Sequence, residues 1–393
     1  MIEFENVNVV FGKNPKRALP LIEQGLDRAE IRDQTGLVVG VQDASLSVKR
    51  GEICVLMGLS GSGKSSLLRC VNGLNDVTSG AIRIRHDGEM VDFTQASDKV
   101  QRDIRTRRIS MVFQNFALMP WLTVEDNVAF GLELQGLGKA ERRKKVARQL
   151  ELVGLSGWAK SRPAELSGGM LQRVGLARAL ATESEILLMD EPFSALDPLI
   201  RNQLQDELLT LQEELQKTIV FVSHDLDEAL KLGSHIAIMK DGQIVQHGKP
   251  EAIVLEPAND YVKSFVASTN PLNVLAARSL ALPIGQIQED ASGNRCINKR
   301  YGIWLHTPDV AEKAVVTSGG QTFQTQLWQE GQAIESLAQQ PTRIAPDTPL
   351  RDAVEIRYFT GHSLLVEEDG QITGAIGDRE LYHAMLGKHL DDS

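Results

Sequence analysis

The chain has 393 residues, of which 42% are hydrophobic and 24% are charged, the proportions of an ordinary globular protein. This length predicts two or three domains, each large enough to bury its own core. The 52 acidic and 42 basic residues give a formal net charge of −10, which argues against a nucleic-acid partner. The three cysteines show neither metal-ligand spacing nor a disulfide framework, so we expect a reducing, cytoplasmic environment. No apolar run reaches the ~18 residues of a membrane-spanning helix.

The N-terminal part predicts two strands separated by an insertion. Residues 2–11 alternate apolar and polar side chains, a pattern that predicts an edge strand. The alternation resumes at residues 41–48, which predicts a second strand. Residues 12–40 lie between them as a polar insertion, in which a short helix is predicted through Leu21, Ile22, Leu26 and Ile31.

A phosphate-binding loop follows the apolar residues 53–57, with the sequence G-x-x-x-x-G-K-S leading into a helical stretch. Glycines let successive backbone N–H groups point at phosphate oxygens, and the helix N-terminus adds a positive dipole. Lys64 is predicted to reach the β- and γ-phosphates, and the Ser65 hydroxyl to bind magnesium. The nucleotide-binding residues predicted here are Gly58, Ser60, Gly61, Ser62, Gly63, Lys64, Ser65 and Ser66.

Strands and helices alternate after this loop. Helices are predicted at residues 124–134, 140–152 and 171–180. Strands are predicted at residues 81–85, 109–113, 186–189 and 219–222, and a hairpin at 235–239 and 243–246. Alternation of this kind around a phosphate loop predicts an α/β fold with a mostly parallel core sheet.

The apolar strand at residues 186–189 ends in two carboxylates. A buried acid is costly unless it meets a cation, so Asp190 is predicted to meet magnesium beside Ser65. Glu191 suits the polarisation of a water for attack on the γ-phosphate. An acid that simply opens a turn is the alternative, which the phosphate loop about 125 residues upstream disfavours.

A second anion-binding segment is predicted at residues 166–170, Leu-Ser-Gly-Gly-Met. Ser167 is predicted to cap the helix that follows, and Gly168 and Gly169 expose backbone N–H groups. Alone this sequence is a weak signal. Its position between the phosphate loop and the two carboxylates makes the whole set specific.

Together these residues resemble an ATP-binding-cassette (ABC) ATPase over about residues 1–265. The resemblance implies a P-loop ABC ATPase core with a helical subdomain, hydrolysis of ATP, and Mg²⁺ as a cofactor. It further implies that residues 167–169 reach the γ-phosphate held by the other subunit of a homodimer. Residues 194–197, which include Asp197, resemble the loop that links the two sites. Met170 departs from the glutamine of many family members.

The resemblance also assigns individual roles. Phe11 resembles the aromatic residue that stacks on adenine, Gln114 the glutamine that senses magnesium and contacts the permease, and His224 the switch histidine that contacts the γ-phosphate. The predicted catalytic residues are Glu191, His224, Lys64 and Gln114. The predicted metal ligands are Ser65, Gln114 and Asp190. The predicted nucleotide contacts outside the phosphate loop are Phe11, Ser167, Gly168, Gly169 and Asp197.

The insertion at residues 13–40 and the segments 58–65, 113–120 and 166–175 resemble those of the ATPases of glycine betaine, proline betaine and choline importers. This implies that the chain energises uptake of a quaternary amine osmoprotectant. The implied partners are integral-membrane permease subunits and a periplasmic or lipid-anchored substrate-binding protein, with no nucleic acid. The implied location is peripheral, on the cytoplasmic face of the inner (plasma) membrane. The alternatives are import of another small solute such as an amino acid, a non-transport ABC ATPase, a small-molecule kinase and a scaffold without turnover.

The predicted domains are an ABC ATPase domain at 1–268, with its helical subdomain at about 115–178, a linker at 269–298, and a small α+β domain at 299–393. In the last, residues 344–354, 363–366, 372–376 and those from 378 onward predict strand, helix, strand, strand and helix. This order resembles one cystathionine-β-synthase-type (CBS) repeat, which implies regulation; a dimer-stabilising appendage is the alternative. A diverged partner repeat within residues 299–340 is left open.

Overall fold

The computed structural model describes residues 1–194, 196–267, 270, 272, 274–299, 301–306 and 311–385. The chain forms two compact units, residues 1–250 and 251–393. The predicted domain boundary after residue 268 and the helical subdomain stay predictions. Across the described ranges, no helix combines the length and the apolar character needed to cross a membrane.

The elements of the first unit occur where most of the sequence patterns placed them. Its strands are β1 (Ile2–Phe11), β2 (Val38–Val48), β3 (Ile53–Met57), β4 (Ser79–His86), β5 (Glu89–Asp92), β6 (Ile109–Val112), β7 (Ile186–Asp190), β8 (Thr218–Ser223), β9 (His235–Lys240) and β10 (Gln243–Gly248). Its helices are α1 (Leu19–Glu23), α2 (Arg28–Thr35), α3 (Lys64–Val71), α4 (Asp98–Asp103), α5 (Val124–Leu134), α6 (Lys139–Leu152), α7 (Gly168–Ala181), α8 (Pro198–Leu215) and α9 (Leu226–Leu232).

The core sheet has the strand order β10-β9-β3-β8-β7-β6. Its strands are parallel except β10, which pairs antiparallel with β9, so the predicted mostly parallel sheet is confirmed. Strands β3, β7 and β8 are buried along their whole length, as their continuous apolar sequences require. The carboxyl ends of parallel strands meet at one edge, and this edge carries the candidate site.

A second, antiparallel sheet has the order β2-β1-β4-β5. Strand β1 therefore lies between β2 and β4, and the prediction of an edge strand is wrong. Alternation in β1 indicates that one face of the strand is buried. It does not indicate which strands pair with β1, because those strands come from elsewhere in the chain.

The insertion between β1 and β2 forms the two helices α1 and α2 where one was predicted. A capping box starts α2: Asp27 Oδ1 accepts the Glu30 N–H, and Glu30 Oε2 accepts the Asp27 N–H. The insertion closes over a small apolar cluster of its own, formed by Val10, Ala18, Ile31, Leu37 and Val39 with Leu21, Ile22 and Leu26 packed against it.

From residue 250 onward the helices are α10 (Pro250–Leu255), α11 (Asp260–Val266), α12 (Ala277–Leu280), α13 (Leu350–Thr360) and α14 (Asp378–Met385). The strands are β11 (Leu282–Pro283), β12 (Arg295–Asn298), β13 (Ile303–His306), β14 (Val315–Ser318), β15 (Gln321–Gln324), β16 (Gln326–Leu327), β17 (Thr342–Ile344), β18 (Leu364–Glu368) and β19 (Gln371–Ile376). They form a five-stranded sheet, β11-β19-β18-β17-β16, and a four-stranded sheet, β12-β13-β14-β15.

Two expectations for this unit change. Part of the predicted linker 269–298 is ordered secondary structure, because β11 pairs with β19 and β12 pairs with β13. Pro283 fits its strand because β11 lies at a sheet edge. The predicted order of strand, helix, strand, strand and helix is present as β17-α13-β18-β19-α14. The described residues between 301 and 340 form strands and short 3₁₀ turns without an α-helix, so they hold no second copy of that order.

Candidate functional site

The phosphate loop occupies residues 58–63, between β3 and α3. Lys64 Nζ donates to the carbonyl oxygens of Gly58 at 2.7 Å and Leu59 at 3.0 Å. Burial lowers the pKa of Lys64, and the nearby Glu191 and Asp190 carboxylates act in the opposite direction. The ammonium group is thus held at the loop, where a bound anion would raise its pKa again.

Close backbone contacts explain two of the loop glycines. Gly58 has a φ of 144°, and a Cβ there would lie 2.2 Å from the Met239 carbonyl oxygen. Gly63 has a φ of 103°, and a Cβ there would lie 2.4 Å from the Gly40 carbonyl oxygen. A side chain at either position would displace the loop from the sheet. Within the described structure, the buried Ser62 Oγ has no hydrogen-bond partner, whereas residues 60 and 61 are exposed.

Asp190 is completely buried at the end of β7. Its Oδ1 accepts the Ser65 hydroxyl at 2.7 Å, and its Oδ2 accepts Arg69 Nη2 at 2.8 Å. The cation that the sequence required for this acid is therefore supplied in part by Arg69, which sequence reasoning missed. The available signal was its spacing: residues 65 and 69 are four apart and share one face of α3.

Ser65 and Asp190 together present a hydroxyl and a carboxylate at one point, the hard oxygen donors that Mg²⁺ prefers. This donor set fits the metal. Gln114, predicted as a third ligand, is placed differently, since its Nε2 donates to Glu191 Oε2 at 3.1 Å. Among the residues that the structure describes, no group of three or more His, Cys, Asp or Glu side chains has metal-binding geometry.

Glu191 brings three predicted residues together. Its carboxylate Oε2 accepts Gln114 Nε2, and the same oxygen lies 3.5 Å from Nδ1 of His224. The backbone at Glu191 has a φ of 48°, a costly conformation for a non-glycine residue. Its N–H donates to the Val222 carbonyl oxygen at 3.1 Å, which ties this strained residue to the neighbouring strand. The carboxylate is mostly buried, and the His224 side chain is exposed.

Gln172 is a further residue of the site that sequence reasoning did not assign. It lies on α7 and is buried, and its Nε2 donates to the carbonyl oxygen of Glu191 at 3.2 Å. Ser194 Oγ donates to the same oxygen at 3.1 Å. The local sequence signal for this role was an amide side chain one turn into the predicted helix, three residues after the glycine pair. These two hydrogen bonds hold the peptide that carries the predicted catalytic carboxylate.

The predicted second anion-binding segment begins α7. Ser167 is the N-cap as predicted, and its Oγ accepts the Met170 N–H at 3.4 Å. Ser167 and Gly168 are exposed, and Gly169 is half-buried. In the described part of the chain, no hydrogen bond joins residues 167–169 to the phosphate loop. Each chain therefore presents the two anion-binding segments separately.

Two predicted nucleotide contacts lie at the edges of the site. Phe11 is 40% exposed at the end of β1, and its ring packs on Gly40, where a Cβ would lie 2.6 Å from the ring. Asp197 is exposed and caps α8 by accepting the Ile200 N–H at 3.1 Å. The loop of residues 194–197 also includes Ala195, which lies outside the described residues.

Comparisons with known proteins identify close relatives. The ABC transporter family model matches residues 41–194. The glycine betaine/proline betaine transport system ATP-binding protein ProV of Escherichia coli K12 is 44% identical over 399 residues, covering 98% of this chain and 97% of ProV. The glycine betaine/carnitine transport ATP-binding protein GbuA of Listeria monocytogenes 10403S is 41% identical over 401 residues, covering 99% and 98%. A dimeric structure of an ATP-binding cassette in a post-hydrolysis state, bound to ADP and Pi, has 31% identity and a TM-score of 0.55, covering 64% of this chain and 99% of that chain.

Proposed function

We propose that this chain, which belongs to the family of ABC transporter ATP-binding subunits, energises the import of glycine betaine or a related quaternary amine. The observation that carries the substrate class is the extent of the similarity: ProV and GbuA match over nearly the whole chain, and both names include glycine betaine. The similarity includes the N-terminal insertion and the C-terminal unit, which lie outside residues 41–194. Neither name mentions choline, the other substrate considered.

The chain's residues divide the work of hydrolysis. Glu191 orients and polarises the attacking water, and the hydrogen bonds from Gln172 and Ser194 keep its backbone in place. Lys64 stabilises charge on the transferring phosphoryl group, and His224 contacts the γ-phosphate from the exposed side. Ser65 and Asp190 would hold Mg²⁺, which would supply positive charge against the phosphates when bound.

Two copies of the chain form two complete sites, each with the phosphate loop of one copy and residues 167–169 of the other. Three features support this arrangement. Ser167 and Gly168 are exposed at a helix N-terminus, where backbone N–H groups attract an anion. They have no hydrogen bond to their own phosphate loop over the described residues. The similar cassette bound to ADP and Pi is dimeric.

The permease contact lies on the face formed by α5 and α6. A groove of about 610 Å³ runs between these helices. Its lining includes apolar side chains, among them Phe130 and Val146, and charged side chains of both signs, among them Glu125, Arg142 and Lys160. These features suit a short amphipathic helix of the permease, docked by its apolar face. Attachment through such a groove places the chain peripherally, on the cytoplasmic face of the membrane, with a substrate-binding protein on the other side.

The C-terminal unit regulates transport. The element order β17-α13-β18-β19-α14 supports a single CBS-like repeat, and the similarity to ProV continues through it. The test compares salt activation of uptake by the full chain and by a chain ending at residue 270. Equal activation by salt in the two forms would reject the regulatory role and favour a dimer-stabilising appendage.

The substrate and the mechanism are tested together by uptake in a strain that lacks this chain but keeps its permease and binding protein. Wild-type chain is expected to restore uptake of labelled glycine betaine. Glu191→Gln is expected to bind ATP but to hydrolyse it orders of magnitude more slowly and to restore no uptake. Glu214→Gln is the control, since it makes the same change on an exposed part of α8.

Each result of the uptake and hydrolysis assays bears on a different part of the proposal. Restored uptake of choline or of an amino acid, without glycine betaine, would reject the substrate. Failure to restore uptake of any solute, with normal ATP hydrolysis by the purified chain, would favour a non-transport ATPase. Near-normal hydrolysis by Glu191→Gln would reject the role of this carboxylate.

A further inference from the structure

The insertion is anchored at the edge of the nucleotide site. It leaves β1 after Phe11 and returns to β2 at Val38, and these two residues pair across the sheet. Two residues further on, the Gly40 carbonyl lies against Gly63 of the phosphate loop, close enough that a Cβ on Gly63 would approach it to 2.4 Å. The base of the insertion therefore touches both the predicted adenine platform and the phosphate loop.

One side chain of the insertion reaches across to the phosphate loop itself. Arg28, the first residue of α2, donates from Nη1 to the Gly61 carbonyl oxygen at 3.0 Å. The helix end that carries it is fixed by the capping box of Asp27 and Glu30, whose side chains hydrogen-bond to each other's backbone. Over the described residues, Arg28 takes part in no ion pair. Its guanidinium therefore lies at the loop and is not held within 4 Å of a carboxylate of the described residues.

The contact with Arg28 is made at Gly61, an exposed position of the phosphate loop where it can restrain the backbone. It has a φ of 80°, it is exposed, and a Cβ at this residue would meet no atom within 4 Å, so packing does not hold the loop here. Because a peptide unit is planar, the Gly61 carbonyl and the N–H of Ser62 are positioned together. That N–H donates to the Leu59 carbonyl oxygen at 3.2 Å, so the Arg28 contact adds a second hydrogen bond to the same peptide. A hydrogen bond accepted by the carbonyl polarises that N–H and strengthens it as a donor.

We propose that Arg28 is a positioning residue for the phosphate loop, through which the insertion increases affinity for the phosphates of ATP. The side chain orders the exposed part of the loop before the nucleotide arrives, so less conformational entropy is lost on binding. Its charge adds to the positive potential around the loop. The residue acts through the loop backbone and has no part in the chemical step. This inference goes beyond the transport function and holds for whichever solute is imported.

The test measures nucleotide affinity and turnover on the purified full-length chain. Arg28→Ala is expected to raise the KM for ATP, and the Kd of a fluorescent ATP analogue, by about 3- to 10-fold. The kcat is expected to change by less than about twofold, because the chemical groups are untouched. Arg28→Lys, which keeps a charged donor, is expected to recover part of the affinity. Arg32→Ala is the matched control on the same helix, since Arg32 is exposed and its Nε lies 3.8 Å from Asp33 Oδ1.

Thermal unfolding of each variant separates positioning from folding. Arg28→Ala is expected to melt within about 2 °C of wild type, because an exposed polar contact contributes little to stability. Unchanged affinity in Arg28→Ala would overturn the proposal. The proposal would also be overturned if Arg28→Lys had the same low affinity as Arg28→Ala, or if Arg32→Ala lost as much affinity. Either result would assign the effect to the fold of α2.

Discussion

The ion pair between Arg69 and Asp190 allows a prediction that depends directly on the structure. Asp190 has no exposed surface, whereas the Arg69 side chain is 39% exposed. Replacing Arg69 by Met removes the guanidinium, and among the described residues the Ser65 hydroxyl then remains as the side-chain hydrogen-bond partner of the buried carboxylate. An unpaired buried charge is strongly destabilising, so the variant is expected to lose stability although a mostly apolar side chain of similar length fills the space.

The size of the effect follows from the burial of the two partners. Breaking a fully buried ion pair costs about 3–5 kcal/mol in free energy of unfolding. Because water reaches one side of the Arg69 guanidinium, part of this cost is screened, and about 2 kcal/mol is expected. In a unit of 250 residues, this corresponds to a fall in melting temperature of roughly 4–8 °C.

The assay is differential scanning calorimetry of four proteins without nucleotide or metal: wild type, Arg69→Met, Asp190→Asn and the double variant. In the Asp190→Asn background, Arg69→Met leaves no charge unpaired and is expected to lower the melting temperature by no more than about 2 °C. Additive losses, with Arg69→Met equally harmful in both backgrounds, would refute the reasoning, because the cost would then come from lost packing of the arginine.

Three further predictions concern other contacts of the site. Gln172→Leu is expected to lower kcat about tenfold with little change in KM, because the Glu191 peptide loses its buried hydrogen bond; an unchanged kcat in steady-state ATPase assays would reject this. Burial raises the pKa of Glu228 above 4.5, so the folded state resists its ionisation and stability falls as pH rises above that value. The melting temperature of Glu228→Gln should therefore change less between pH 5 and pH 7 than that of wild type. An equal change in the two proteins would contradict this. Saturating ATP is expected to stabilise wild-type chain by about 2.7 kcal/mol at 100 times Kd, and Lys64→Ala should lose most of that shift in thermal-shift assays.

The local parts of the site could be predicted from sequence. The phosphate loop follows from glycine and lysine spacing, and the positions of Asp190 and Glu191 follow from strand polarity in a parallel sheet. The role of His224 was implied by the family resemblance. Apolar runs predicted the buried strands, because strands in the core of a parallel sheet bury both faces. Residue spacing and apolar runs need information from neighbouring residues only.

Contacts between distant segments could not be predicted in this way. Gln172 reaches Glu191, and Arg28 reaches Gly61, through tertiary packing that leaves no periodic signal. The central position of β1 depends on partners supplied by β2 and β4. The short strand β11 escaped notice because Pro283 is normally a strand breaker, and only its place at a sheet edge permits pairing.

The central claim is that one active site combines the phosphate loop of one copy with residues 167–169 of another. Mixing two inactive variants, Lys64→Ala and Ser167→Arg, tests it directly. In a mixed dimer one site carries both substitutions and the other carries neither. ATP hydrolysis should therefore recover to about a quarter of the wild-type rate, since half of the dimers are mixed and each has one intact site. If each chain completed its own site, no chain in the mixture would be intact, and ATP hydrolysis that stayed at the level of the separate variants would contradict the claim.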